Sequence, residues 1–303
     1  MYHRKVWHAG VSVAVHNSHS PRMGRALVKA DACRRSRAAV EAYNHKLAER
    51  RLALLLNENF LPGDGHVVLG YWKDFRVTAQ EGAAIWREFM KNLRGAAKAA
   101  GVPLKYVHAL AVGERGALHH HMILNREALG LVKGLWAHGG VNLAFLYDKR
   151  NYQKLAKYFC GQEKGWSDEE GKNLPAIVIH GNKYSSSRNL VRPEPEPSVV
   201  EGEAWEKYPA PEEGYVIDPD SLDAGKNPVS GKPYQFYIML PVEAPRGLSD
   251  KKKADWCERA RVMNAAEVRW KMDKLYAEME RKELLWRGRE EDPFGLAEVR
   301  LVK

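Results

Sequence analysis

Two apolar runs, Lys105 to Val112 and Leu118 to Asn125, flank the turn Gly113-Glu114-Arg115-Gly116. Runs of that length around a glycine-bounded turn specify an antiparallel pair of strands, and their neighbours narrow the fold class. Thr78-Ala79-Gln80-Glu81 is a capping box, in which hydroxyl and carboxylate each satisfy an orphan backbone N–H. Ile85, Phe89, Leu93, Ala96 and Ala100 follow at spacings of 4, 4, 3 and 4, one face of a helix that Gly101 and Pro103 stop. Upstream, Val40, Tyr43, Leu47 and Leu54 predict a helix ending near Asn57. The turn Pro62–Gly65 then leads into a buried strand from His66 to Tyr71. Downstream, Val141, Leu143 and Phe145 predict a strand. Asn151 is placed to cap a helix running to about Glu163, with Leu155 and Phe159 as its buried contact. This order predicts an α+β fold, a central antiparallel β-sheet with helices packed on it.

Outside that block the texture changes. Residues 1–39 read as a basic N-terminal arm, with Arg34-Arg35-Ser36-Arg37 among small and polar residues. A compact domain over residues 40–192 follows. Residues 193–245 form an acidic extension in which Pro193, Pro195 and Pro197 alternate with other residues before a terminal strand, Gln235 to Leu240. Residues 246–303 read as a charged helical tail, whose Val268, Met272, Leu275 and Met279 have the spacing of an ordinary packing stripe.

Composition excludes several classes. Nine Trp and thirteen Tyr in a chain 45% hydrophobic argue against disorder. No stretch approaches the about 18 apolar residues of a membrane span. Cys33, Cys160 and Cys257 are odd in number and far apart, which argues against a disulfide framework and for a soluble protein of a reducing cytoplasm. Within a net charge of +10, residues 1–187 hold 28 basic and 15 acidic side chains, whereas residues 188–224 hold 3 and 10. The basic part suits a polyanionic partner, through phosphate contacts and counterion release; a basic enzyme with no such partner has the same composition.

The run Leu118-His119-His120-His121-Met122-Ile123-Leu124 carries the chemistry. On a strand, His119, His121 and Ile123 share one face, while Leu118, His120, Met122 and Leu124 share the apolar face that meets the core. His119 and His121 then lie side by side, suited to a metal ion or a phosphate; a chance histidine run at a strand end is the plain alternative. Tyr158 follows on a helix with Lys154 one turn before it and Lys157 adjacent, cations able to stabilise a phenolate or grip a phosphate. Tyr152 is the rival phenol, about 240° round the same helix, so the two do not serve one site.

The chain resembles the HUH-type rolling-circle replication initiators, in particular replication-associated proteins of bacterial mobile elements. The likeness covers about residues 40–240. Asn59-Phe60-Leu61-Pro62-Gly63-Asp64, leading to Tyr71, resembles the first motif of the group, and Glu114 to His121 resembles its His-hydrophobic-His metal motif. Tyr158 in Leu155-Ala156-Lys157-Tyr158-Phe159 matches the nucleophile position. Ser187-Arg188-Asn189-Leu190 with Arg192-Pro193 resembles the segment closing the nuclease domain, and Gly231 to Tyr237 the usual terminus.

The resemblance implies an HUH endonuclease-like fold and an initiator that nicks and rejoins single-stranded origin DNA. His119 and His121 would hold Mg²⁺ or Mn²⁺, and Tyr158 would form a 5′-phosphotyrosine as in the single-tyrosine branch. Lys154, Lys157, Arg115 and Arg188 would grip the DNA backbone, and Trp72 or Trp136 would stack on unpaired bases. No ATP-binding Gly-x-x-x-x-Gly-Lys-Ser/Thr loop is present, which implies a separate helicase and a polymerase as partners. A mobilisation relaxase, a single-strand transposase, a decayed origin-binding protein and a zinc hydrolase using the three histidines are the other readings. The chain departs from the group at four places. Gly70 replaces a threonine, Ala111 an acid eight residues before the first histidine, Gly161 a lysine after the nucleophile, and His120 an apolar residue. The third ligand is thereby left between Glu114 and His108, the latter on the other face of its strand from Ala111.

Overall fold

The computed structural model describes residues 1–19, 37–113, 116–147, 151–161, 183–202, 205–244 and 249–291. Strands β1 (Tyr2–Ala9) and β2 (Ser12–Ser18) precede helix α1 (Arg37–Asn59), strand β3 (Gly65–Gly70) and helix α2 (Ala79–Ala99). The hairpin of β4 (Tyr106–Val112) and β5 (Leu118–Leu124) comes next. It is followed by α3 (Leu129–Leu135), β6 (Val141–Phe145), α4 (Gln153–Cys160) and the short β7 (Ser185–Ser186). Strands β8 (Glu196–Val200), β9 (Tyr215–Ile217), β10 (Asp223–Lys226) and β11 (Pro233–Pro241) lead to α5 (Asp250–Glu291). The chain divides into two compact units, one of His8–Ser12 with Glu41–Glu194 and one of Met1–Trp7, Val13–Val40 and Pro195–Lys303. Among the described residues no helix is long and apolar enough to cross a membrane.

The unit containing Glu41–Glu194 is built on an antiparallel five-stranded sheet in the order β6-β3-β5-β4-β7. Helices cover both faces. Leu52, Leu55, Leu56 and Phe60 from the α1 region, with Tyr152, Ala156 and Phe159 from the α4 region, bury Val107, Ala109 and Ile123 on one side. Phe89, Met90 and Leu93 of α2, with Val132 of α3, bury Val67, Leu69, Met122 and Leu124 on the other. Helix α2 starts as its capping box predicts, with Thr78 Oγ1 accepting from Glu81 N–H and the Glu81 carboxylate accepting from Thr78 N–H. Its buried stripe is Gly82, Phe89, Met90, Leu93 and Ala97. Ala96 and Ala100, expected in that stripe, turn partly or wholly outward because the helix is rotated toward Met90. Gly82 is there for space: a Cβ at this position would run into Leu118 of β5.

The segment after β7 is tied back to β4. Ser187 bonds Tyr106 twice, through Tyr106 N–H to Ser187 Oγ and Ser187 N–H to Tyr106 O, and Leu190 is buried behind it. Asp64 closes the turn after α1 by accepting from Leu61 N–H and Arg126 N–H. Helix α4 begins one residue later than expected. Tyr152 occupies the N-cap position, while Asn151 Oδ1 still accepts from Gln153 N–H.

The second unit corrects the reading of the N-terminus as an arm. Residues 2–9 and 12–18 are strands in a sheet of order β10-β11-β2-β1-β8, with β9 beside β11. Their alternation is blurred because β1 is half-buried along most of its length and β2 opens with four buried residues in succession. Arg34 and Arg35 lie outside the described residues. The acidic extension likewise holds four strands rather than one. Pro197, opposite Lys5, fits because β8 is an edge strand, where a missing N–H breaks no ladder. The predicted stripe on α5 is packing: Val268 and Met272 are buried with Val13, Val15, Ile217 and Tyr237, and Leu275 and Met279 pack beside them.

Candidate active site

Antiparallel pairing sorts the histidines of β5. His121 lies opposite Val68 and Ala109, and His119 opposite Gly70 and Ala111, so both rings stand on the α1/α4 side with Ile123. Their ring centroids are 4.7 Å apart. Helices α1 and α4 cover this face, and His121 is only 1% exposed. The same helix brings in the phenol. Phe159 points into the core, and Tyr158, one residue or 100° earlier, is 47% exposed with its ring centroid 5.1 Å from that of His121. Tyr152 is buried in the core beneath, 1% exposed and edge-on to Tyr147.

A third imidazole completes the group. His66 of β3 pairs with Ile123, which makes His121 its diagonal neighbour. His66 Nε2 and His121 Nδ1 are 2.9 Å apart, and the His66 ring stands edge-on to Tyr158 at 6.0 Å. His119 Nδ1 lies 3.2 Å from Ala117 O, to which it donates. Burial pushes His121 down to about 3, reinforced by the neighbouring His119, His66 and His120. Burial also lowers His66, and lowers His119 against the opposing Ala117 bond. The three rings are therefore neutral near pH 7, the form that ligates a metal.

His121 Nε2 is buried without a hydrogen-bond partner. The bond to Ala117 leaves the lone pair of His119 on Nε2, so His119 offers one nitrogen donor, and His121 offers a second on the same face when its proton sits on Nδ1. Among the described residues no set of three His, Cys, Asp or Glu side chains is arranged to hold a metal ion. Ala111, opposite His119, presents only a methyl group there. His108 is excluded as a ligand of this site because it stands on the other face, where its Nε2 is 2.9 Å from His120 Nδ1. Glu114 and Arg115 lie outside the described residues; Lys154, Lys157 and Arg188 are exposed.

The opposite face holds a separate polar chain. His120 Nε2 meets Tyr71 Oη at 2.8 Å, and Trp86 stacks on His108 with centroids 3.6 Å apart. Burial, ahead of the His119 charge, holds His120 down to about 3, and burial raises Tyr71 to about 12. His120 is thus a satisfied core histidine rather than a ligand. Trp136 belongs to this layer as well. It is 5% exposed and donates Nε1–H to Gly70 O, which corrects its expected role as a base-stacking surface. Trp72 keeps that potential, at 63% exposed. His66 escaped the sequence reading as a site residue. Its signal is its even position on β3, informative only once the pairing register with β5 is known.

Residues 70–163 match a family described as replication-associated protein. The matched segment, less than half of the chain, contains His119, His121 and Tyr158. No match was found among curated proteins or among solved structures.

Proposed function

We propose that this chain is a replication-initiation endonuclease that nicks and rejoins single-stranded DNA through Tyr158. The observation that carries the reading is the placement of the Tyr158 ring against His121, beside His119, inside the segment matching the replication-associated family. His119 and His121 would hold Mg²⁺ or Mn²⁺ through Nε2, with Glu114 as the sequence candidate for a third ligand. A cation so held polarises a scissile phosphodiester and offsets the charge that develops on it. Tyr158 Oη attacks phosphorus, forming the Tyr–O–P bond and breaking the P–O3′ bond. The phenolic proton passes through solvent to the departing 3′-oxygen. The energy of the ester is retained, so the released 3′-hydroxyl can reverse the step and rejoin the strand. Lys154 and Lys157, exposed on the helix that carries Tyr158, together with Arg188 and Arg115, would bind backbone phosphates, and Trp72 would stack on a base.

The test is incubation of labelled single-stranded DNA from the protein's own locus with Mn²⁺, followed by a denaturing gel. A labelled protein band is expected with wild type and Tyr152→Phe, and none with Tyr158→Phe or His121→Ala. An adduct that survives Tyr158→Phe removes the assigned nucleophile. Tight DNA binding without any adduct favours the decayed origin-binding protein, for which the methyl group at Ala111 is the motivating observation.

A further inference from the structure

His66 lies in no motif of the site, yet it makes the only hydrogen bond that His121 Nδ1 shows among the described residues. A neutral imidazole carries one N–H and one lone pair, so whatever Nδ1 does fixes what Nε2 can do. If Nδ1 accepts from His66, the proton of His121 sits on Nε2, and that buried, unpartnered atom is an N–H unable to ligate. If Nδ1 donates to His66 Nε2, the buried atom is a lone pair. The second arrangement makes His66 an acceptor that orients and polarises a ligand, as carbonyls and carboxylates behind metal-bound histidines do.

We propose that His66 is a positioning residue, which accepts from His121 Nδ1–H and thereby presents the His121 Nε2 lone pair to the metal; this rests on the metal-dependent reading above. Three contacts argue for it over a place in the ligand set. Its Nε2 is already engaged at 2.9 Å. The His66 and His121 rings, 28° from parallel, sit 5.2 Å apart, and Phe159 lies 5.3 Å from the His66 ring. His119 has the equivalent device in Ala117 O. Each ring of the pair then has an acceptor on Nδ1, one from the backbone of β5's approach and one from a side chain of β3.

The proposal separates two variants. His66→Gln keeps an acceptor oxygen within reach of Nδ1, and His66→Leu removes it while preserving bulk. With histidine-selective ¹⁵N labelling of the full chain, long-range ¹H–¹⁵N spectra report which ring nitrogen of His121 carries the proton, with His121→Gln supplying the assignment. Wild type and His66→Gln are expected in the Nδ1–H form and His66→Leu in the Nε2–H form. In parallel, Mn²⁺ titration followed by electron paramagnetic resonance is expected to show affinity about 10- to 100-fold weaker in His66→Leu, with His66→Gln near wild type. Wild-type His121 protonated on Nε2 overturns the proposal, as does wild-type Mn²⁺ affinity in a folded His66→Leu. Absence of Mn²⁺ binding to wild type overturns the metal reading and this assignment with it, whereas binding that ignores the Leu variant overturns the assignment alone.

Discussion

Three consecutive histidines have different fates because each strand step reverses the face. His119 and His121 reach the Tyr158 side, while His120 is tied to Tyr71 and His108. The same residue-level accounting identifies what the site lacks. Ala111 is fully buried directly opposite His119, where a side chain's Cβ comes within about 4.5–5.5 Å of its partner's. Ala111→Asp therefore sets a carboxylate beside the histidine pair. Without metal it should lower Tm, because a buried carboxylate lacks a cation. With Mn²⁺ it should bind at least about tenfold more tightly than wild type, recovering the lost Tm at saturation. Calorimetric titration checks both halves, and destabilisation with no gain in affinity would show that the carboxylate misses the site. Gly70 is the milder departure. A Cβ there meets only Gly140 O, at an ordinary 3.9 Å, so Gly70→Thr is expected to fit and to stabilise by about 0.5–1 kcal/mol through lower unfolded-chain entropy. Urea denaturation of the pair measures it, and a loss of stability would mean the neighbouring backbone is tighter than it looks.

At the scale of elements, the layer on which a helix packs decides what its loss does. Helix α2 covers the face opposite His119 and His121. Thr78→Ala removes its capping oxygen and should cost about 1 kcal/mol in chemical denaturation, while leaving Mn²⁺ affinity unchanged. A matching fall in affinity would mean that the two faces of the sheet are coupled. This helix was legible in the sequence because its cap, stripe and stop are all local, and the alternation along β5 was legible for the same reason. The second sheet was not. Val15 of β2 pairs with Tyr237 of β11, on a strand more than 200 residues away, and short-range spacing carries no trace of such a partner. His66 was missed because its face depends on register, and Trp136 was given the wrong role because an indole followed by Gly139 and Gly140 resembles an exposed loop until its N–H is found on Gly70 O. The pair His119–His121 with Tyr158 was readable, since strand and helix periods fix where each side chain points.

For the molecule as a whole, the concentration of neutral histidines in one unit sets its response to acid. His108 and His120 are buried and hydrogen-bonded to each other, with His108 held well below the usual histidine range by burial first and then by His120 and His121. His120 titrates only near pH 3. The unfolded chain takes up these protons near pH 6.5, so between about 3 and 6.5 the unfolded state binds more protons than the folded one. Unfolding free energy therefore rises with pH across that window: the contribution is fully present above 6.5 and is withdrawn as pH falls. Each such histidine withdraws about 1.4 kcal/mol per pH unit well below 6.5. Since His66, His108, His119, His120 and His121 all lie in the unit of Glu41–Glu194, that unit should lose Tm between pH 7.5 and 5. His108→Gln, which cannot titrate, should start less stable at pH 7.5 because it disturbs the stack on Trp86, yet lose less on acidification. Scanning calorimetry of both proteins at pH 7.5, 6.0 and 5.0 decides it. An equal slope in the variant would mean that His108 takes up its proton over the same pH range in the folded as in the unfolded chain, so that burial does not lower it.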